Sequence, residues 1–295
     1  MPESRAAIPF KTRLPAREKS RPAGENGVWA ATCTAMMEGK TLRLEDQART
    51  LEELLHWDTG FPGGTEVLEA GCGTGAQTVA LARRSPGASI TAVDVSAVSL
   101  EEAQTRIAAA GIGNVRFRQA DLLVAPFPPA SFDHVFLCFV LEHLPDPAAV
   151  LAALRPVLRP GGTITAIEGD HGSTYFHPES EATRAAIACQ VELQRRAGGD
   201  ANIGRRLYPL LAGASFEAVR VSPRMVYVDA SRPALVDGFI RRTFTAMIEG
   251  VRERAIAADL STPEAFDAGT RALHRTAEPD GVFCYTFFKA IGQAV

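Results

Sequence analysis

Between residues 43 and 57 the apolar positions Leu44, Ala48, Leu51, Leu54 and Leu55 fall at helical spacing, which predicts an amphipathic helix leading into a core. From Glu66 the pattern changes. Short β-rich apolar runs at 66–70, 89–94, 114–118, 133–138 and 163–168 alternate with Ala- and Leu-rich stretches at 76–84, 97–110 and 146–157. Strands and helices in alternation predict an α/β fold, a doubly wound parallel sheet with crossover helices. Arg159-Pro160-Gly161-Gly162 punctuates the turn into the fifth run. Two further strands are expected at 216–222 and 282–289, the last with alternating polarity. The stretches 170–203 and 230–278 exceed ordinary connections and are expected to form helical cap insertions over a site.

Residues 1–27 carry Pro2, Pro9, Pro15 and Pro22 among charged residues and Gly, with no apolar period. A flexible N-terminal arm is expected there, followed by one domain over 28–295. Glu3, Glu18 and Glu25 argue against an organelle-targeting helix. With 46 % hydrophobic and 22 % charged residues, the composition is that of a folded globular protein. Lys plus Arg is 31 against 34 Asp plus Glu, so there is no excess of positive charge to hold a phosphate backbone, and no nucleic acid partner is expected. Five scattered cysteines without a C-x-x-C pair suggest neither a disulfide framework nor a zinc site. No apolar run is long enough to span a membrane and no secretory signal is evident, so a cytoplasmic location is expected.

The chemistry concentrates after the first strand, where Val67-Leu68-Glu69-Ala70 runs into Gly71-Cys72-Gly73-Thr74-Gly75-Ala76. Glycines at such a turn let the backbone bend tightly and approach a ligand. Gly71, Gly73 and Ala76 also satisfy the dinucleotide fingerprint, so an NAD(P)-dependent reductase stands as a rival. Three acids bear on the choice. Glu69, two residues before the first glycine, would anchor a cationic amino group and repel a pyrophosphate. Asp94 lies 19 residues beyond Gly75 at the end of the second strand, where an acid accepts from both ribose hydroxyls. Asp121 follows the third strand and could accept from an exocyclic adenine amine.

These residues resemble the class I S-adenosylmethionine-dependent methyltransferases, of the group often called type 11. Glu69 to Gly75, including Cys72, is similar to their cofactor loop, Asp94-Val95 to the ribose-binding acid and its neighbour, and Asp121-Leu122 to the adenine-binding pair. The run from Phe132 to Leu144 is similar to the segment beside the methionine part of the cofactor, which implies Phe139 and His143 as contacts. The resemblance implies a Rossmann-like, seven-stranded, mostly parallel sheet with a reversed final strand, and S-adenosyl-L-methionine as cofactor. Cys138-Phe139-Val140-Leu141 stands where methylases of base or glutamine amines carry an Asp/Asn-Pro-Pro-aromatic motif. This departure lowers those alternatives. No metal-ligand set can be assembled, although Glu168 and Asp170 are oxygen donors.

The acceptor is expected to be a small, hydrophobic or aromatic molecule of natural-product type. One bacterial subset that the segments Glu168–Pro178 and Asp280–Gly292 resemble methylates an indole carbon. O-methylation of a quinone or phenol precursor is an alternative, as is a non-catalytic cofactor-binding regulator. Glu168, His171 and Tyr175 leave the fifth strand together and are the expected catalytic groups, as base or acceptor-orienting residues. Arg205 and Arg206 could meet an acidic substrate or face solvent. Tyr227, Phe239, Phe244, Met247 and Phe266 supply either core or an apolar pocket. Assembly as a homodimer is compatible with this reading.

Overall fold

In a computed structural model the chain is described over residues 51–124 and 127–295. The expected arm 1–27 and the first part of the 43–57 helix lie outside the described residues; residues 51–56 are helical. Seven strands form one sheet: β1 (Glu66–Ala70), β2 (Ser89–Asp94), β3 (Val115–Gln119), β4 (Phe132–Cys138), β5 (Leu158–His177), β6 (Glu217–Val228) and β7 (Val282–Gln293). Their order is β3-β2-β1-β4-β5-β7-β6. The first five run parallel, and β7 is antiparallel to both β5 and β6. The expected reversed final strand is therefore β7.

Helix boundaries follow local chemistry. Ser96 accepts from the Ser99 N–H to start Ala97–Ala109, and Asp146 accepts from the Ala149 N–H to start Pro147–Leu154, where Pro147 removes a donor that would have no partner. Helices on one face bury Leu68, Val135, Leu137, Leu151 and Leu207 against the sheet. The other face buries Leu51, Leu55, Leu81, Phe136, Ile167 and a group of aromatic rings. On that second face Lys289 is also buried, its amine bonded to Asp58 Oδ1 and Thr59 Oγ1 at 2.7 Å each. Arg224 donates to the other oxygen of Asp58 at 2.6 Å, so the segment after the 51–56 helix is tied to β6 and β7 through paired charge.

Several expected boundaries change: β5 begins at Leu158 and so takes in the expected turn at 159–162, and β7 runs on to Gln293, beyond the expected 289. The fifth strand does not stop at Glu168 but continues to His177, pairing with β7 on both sides of an irregularity between Asp170 and Tyr175. The polar run there reads as loop in sequence because its side chains make the bonds of a bulge: Ser173 Oγ donates to the Asp170 carbonyl and accepts from the Thr286 N–H, and Asn202 accepts from the Gly172 N–H. The sixth strand likewise runs on to Val228, beyond the expected 222.

The first insertion therefore becomes helical only at Glu181–Arg196. The second contains a ten-residue π-helix, Val236–Thr245, and the helix Pro263–Arg275. The two insertions touch where Gly269 lies against Glu181–Arg196; a Cβ at Gly269 would come within 2.4 Å of the Ala182 carbonyl oxygen. Because β5 and β6 run in the same direction, both insertions leave the sheet at the edge that carries the loop after β1.

Candidate cofactor and acceptor site

The three glycines after β1 have different jobs. Gly71 and Gly75 are packed tightly: a Cβ would lie 2.7 Å from a Val140 methyl at the first and 2.9 Å from Ala103 at the second. At Gly73, with φ of +53°, a Cβ would meet nothing within 4 Å, so a side chain there would project into the open cleft. The loop is braced from outside by Arg106, whose Nε donates to the Thr74 carbonyl at 2.9 Å. Cys72 is buried in it, and burial pushes its thiol well up.

Glu69, at the end of β1, is only 2 % exposed. Burial, reinforced by the charge of Asp94, pushes its carboxyl up to about 7. Among the described residues its Oε2, like that of Glu168, has no hydrogen-bond partner, and with Thr78 beside the carboxyl and the glycine loop adjacent it is the one placed to receive a cation from the cofactor side. Asp94 accepts from the Gly73 N–H through Oδ2 and from the Ser96 N–H through Oδ1, both at 2.9 Å. Asp121 is exposed and caps the short turn Leu122–Val124 by accepting from the Leu123 N–H. At the ends of the neighbouring strands β2 and β3, Val95 and Leu123 remain exposed, apolar surface suited to a flat ring. A buried carboxyl in want of a cation and a glycine facing open space fit the amino-acid end of S-adenosylmethionine.

The loop after β4 is held from two sides. Glu168, fully buried on β5, accepts through Oε1 from the N–H groups of Val140 and Leu141 at 3.0 and 2.8 Å. From the first insertion, Gln194 donates to the Glu142 carbonyl at 3.0 Å and the Asp200 N–H donates to the same oxygen at 2.9 Å. Between these anchors Phe139 has φ of +59°, a strained setting for a bulky residue, with its ring against Phe287. His143 is half-exposed beside the Glu142 carboxylate.

The three expected catalytic residues are not brought together. Glu168 lies against Val140 and Leu141, in the core cluster of one sheet face, and burial with Glu142 nearby pushes its carboxyl well up. Its Oε1 is engaged as a backbone acceptor, which makes it a support for the loop. His171, within the bulge, packs against Phe244 and Tyr285 of the other cluster. Tyr175 is 66 % exposed; beyond the bulge it pairs with Cys284 and faces away from the aromatic cluster that holds His171, and it lies four β7 positions along from Phe288, the partner of Glu168.

Arg205 and Arg206 are paired with Asp170 and Asp200 within the chain. Phe239, Phe244 and Phe266 are buried, with Phe239 between the rings of Phe244, Phe283, Tyr285 and Phe287, so this group is core and not pocket lining. Tyr227, by contrast, faces outward. The residue that sequence reasoning missed is Tyr285, whose hydroxyl lies 3.1 Å from His171 Nδ1. Its signal was only one aromatic among several on an alternating strand.

Residues 67–162 match a family described as Methyltransferase domain. The chain is similar to a ubiquinone biosynthesis O-methyltransferase of Paracidovorax citrulli, with 38 % identity over 128 residues, covering 41 % of this chain and 53 % of the relative. An uncharacterized 37.1 kDa protein in a transposon of Streptomyces fradiae is 32 % identical over 212 residues, 71 % of this chain and 60 % of that one. The chain thus spans about half the length of the first of these curated relatives and 60 % of the second. Among solved structures, a candidate methyltransferase of Bacillus halodurans C-125 superposes with a TM-score of 0.52 at 20 % identity, over 83 % of this chain and 98 % of that one, which supports the fold. With the glycine loop, Glu69 and Asp94 arranged on a sheet of this order, the chain carries a methyltransferase domain of the class I, S-adenosylmethionine-dependent type.

Proposed function

We propose that this chain transfers a methyl group from S-adenosylmethionine to a small, apolar or aromatic acceptor. The observation that carries the reading is the buried, unpartnered oxygen of Glu69 beside the glycine loop, a place for an ammonium group. Glu69 binds that amino group, Asp94 the ribose, and Asp121 with Leu122 and Val95 the adenine. The loop Phe139–His143, anchored by Glu168 and Gln194, lies along the methionine part. When bound, the cofactor supplies a sulfonium-activated methyl group that leaves a neutral thioether behind.

The protein's own tasks are then alignment and exclusion of water. The aromatic core under the cap keeps the ground beside the site dry, and His171 at its margin orients the acceptor. A carbon of an indole is the first acceptor to test. A phenol or quinone precursor is the second, favoured by the likeness to the ubiquinone O-methyltransferase.

The test is incubation of the purified chain with methyl-deuterated S-adenosylmethionine and panels of indoles, phenols and quinone precursors, read by mass spectrometry. Label appearing in a product supports the reading, and the labelled position separates carbon from oxygen transfer. Binding of the cofactor with no transfer to any panel member would favour a regulator instead.

A further inference from the structure

Phe139 breaks the alternation of β4. Val135 and Leu137 face one core cluster, Phe136 and Cys138 the other, so a regular strand would turn residue 139 towards the Val135 side. The ladder is intact up to the Phe139 N–H, which donates to the Ile167 carbonyl at 2.9 Å. At that point φ becomes +59° and the side chain packs with the Phe136 cluster, its ring centroid 5.5 Å from that of Phe287. Glycine would take this left-handed turn freely, whereas a bulky side chain does so against steric repulsion.

The neighbouring residues hold the turn in place. Val140 occupies the notch beside Gly71, and the N–H groups of Val140 and Leu141 are both held by Glu168. Strain held in this way persists where the direction of a side chain serves a site. The direction here puts a half-buried ring, backed by the buried Phe287, at the ends of the adjacent strands β1 and β4. The glycine loop lies beside it, with Gly73 facing the open cleft. A side chain bearing a lone pair at such a place would itself take up a methyl group from a sulfonium. A hydrocarbon ring does not, yet the negative face of its π system attracts a cation.

We propose that the Phe139 ring is the sulfonium-recognising group of the cofactor site, its face turned to the charged sulfur and the methyl group that sulfur carries. This rests on the reading that the loop Phe139–His143 lies along the methionine part of S-adenosylmethionine. It deepens that reading by assigning to one residue the distinction between the methyl donor and its product. When the methyl group leaves, the sulfur keeps the bonding pair and becomes a neutral thioether, so the attraction lapses and this contact no longer holds S-adenosylhomocysteine. Glu69 and Asp94 make no such distinction by contact, because the amino group and the ribose assigned to them are common to both molecules.

The experiment is calorimetric titration of S-adenosylmethionine and S-adenosylhomocysteine into the full chain and its variants, read as the preference for the first over the second. Phe139→Leu keeps an apolar side chain and loses the π face, so that preference should fall about two- to thirtyfold. Phe139→Tyr should restore it. Placing at position 139 a phenylalanine with one, two or three ring fluorines keeps the shape and drains the π face, so the preference should fall stepwise with fluorine count while the melting temperature stays level. A preference unchanged across the fluorine series, or equal losses of both ligands in Phe139→Leu, would overturn the proposal. An unaltered chain that binds neither ligand would overturn the cofactor reading beneath it, and the proposal with it.

Discussion

The backbone N–H of Gly73 donates to Oδ2 of Asp94 at 2.9 Å, joining the middle of the glycine loop to the end of β2. One carboxylate thereby sets the loop and faces the place where a ribose is expected. Asp94→Ala should leave the fold intact and weaken S-adenosylmethionine binding by about 1.5–3 kcal/mol, roughly ten- to a hundredfold in Kd. Calorimetric titration checks this, and unchanged affinity would reject the assignment of Asp94.

Glu69 should trade stability for binding. Its carboxyl is raised from 4.5 to about 7 by burial, so the folded chain holds this proton more tightly than the unfolded one. The resulting stability is fully present below pH 4.5 and is lost as pH rises through about 7, a loss on the order of 3 kcal/mol. Glu69→Gln should therefore melt at a higher temperature than the unaltered ligand-free protein at pH 8, with little difference at pH 4, while binding S-adenosylmethionine more weakly at pH 8. Thermal scans and titrations at both pH values measure the two effects.

Gly71 and Gly73 should respond differently to the same substitution. Gly71→Ala drives a methyl into Val140 and also strains a left-handed backbone (φ +81°), so it should cost about 2–5 kcal/mol, of which Val140→Ala restores only the packing share. Gly73→Ala meets no neighbour, so its cost should be about 1–2 kcal/mol from its left-handed backbone alone, yet it should impair cofactor binding. Urea denaturation with and without the second substitution separates packing from ligand contact.

Glu168 should behave as a support and not as a base. Glu168→Ala leaves the buried amides of Val140 and Leu141 without an acceptor and should destabilise the chain by about 2–4 kcal/mol. Glu168→Gln keeps a carbonyl in the same place and should retain both stability and methyl transfer. Loss of turnover in Glu168→Gln with normal stability would return this residue to the chemistry.

The first four strands and the loop between β1 and the following helix were legible because their signals are local. A buried run, three glycines and an acid at each strand end lie within a few residues of one another. β5 beyond Glu168 was not legible, since Asp170, Gly172 and Ser173 have the composition of a loop and become a bulge only against Thr286 on β7. The separation of Glu168 from His171 is that of residues three apart on a strand, which point to opposite faces; what the bulge hid is the reversal beyond it, which takes Tyr175 off the face of His171. Likewise the bond between His171 and Tyr285 joins residues 114 positions apart, and the pairing of Lys289 with Asp58 spans 231. Such contacts depend on strand register, which local periodicity does not contain.

The most direct test of the central claim is calorimetric titration of the purified chain with S-adenosylmethionine, S-adenosylhomocysteine, NADH and NADPH in one buffer. Micromolar binding of the first two and none of the nicotinamides is the expected result, on the order of 8 kcal/mol of binding free energy. Binding of NADH or NADPH without S-adenosylmethionine would contradict it and make the glycine loop a dinucleotide site.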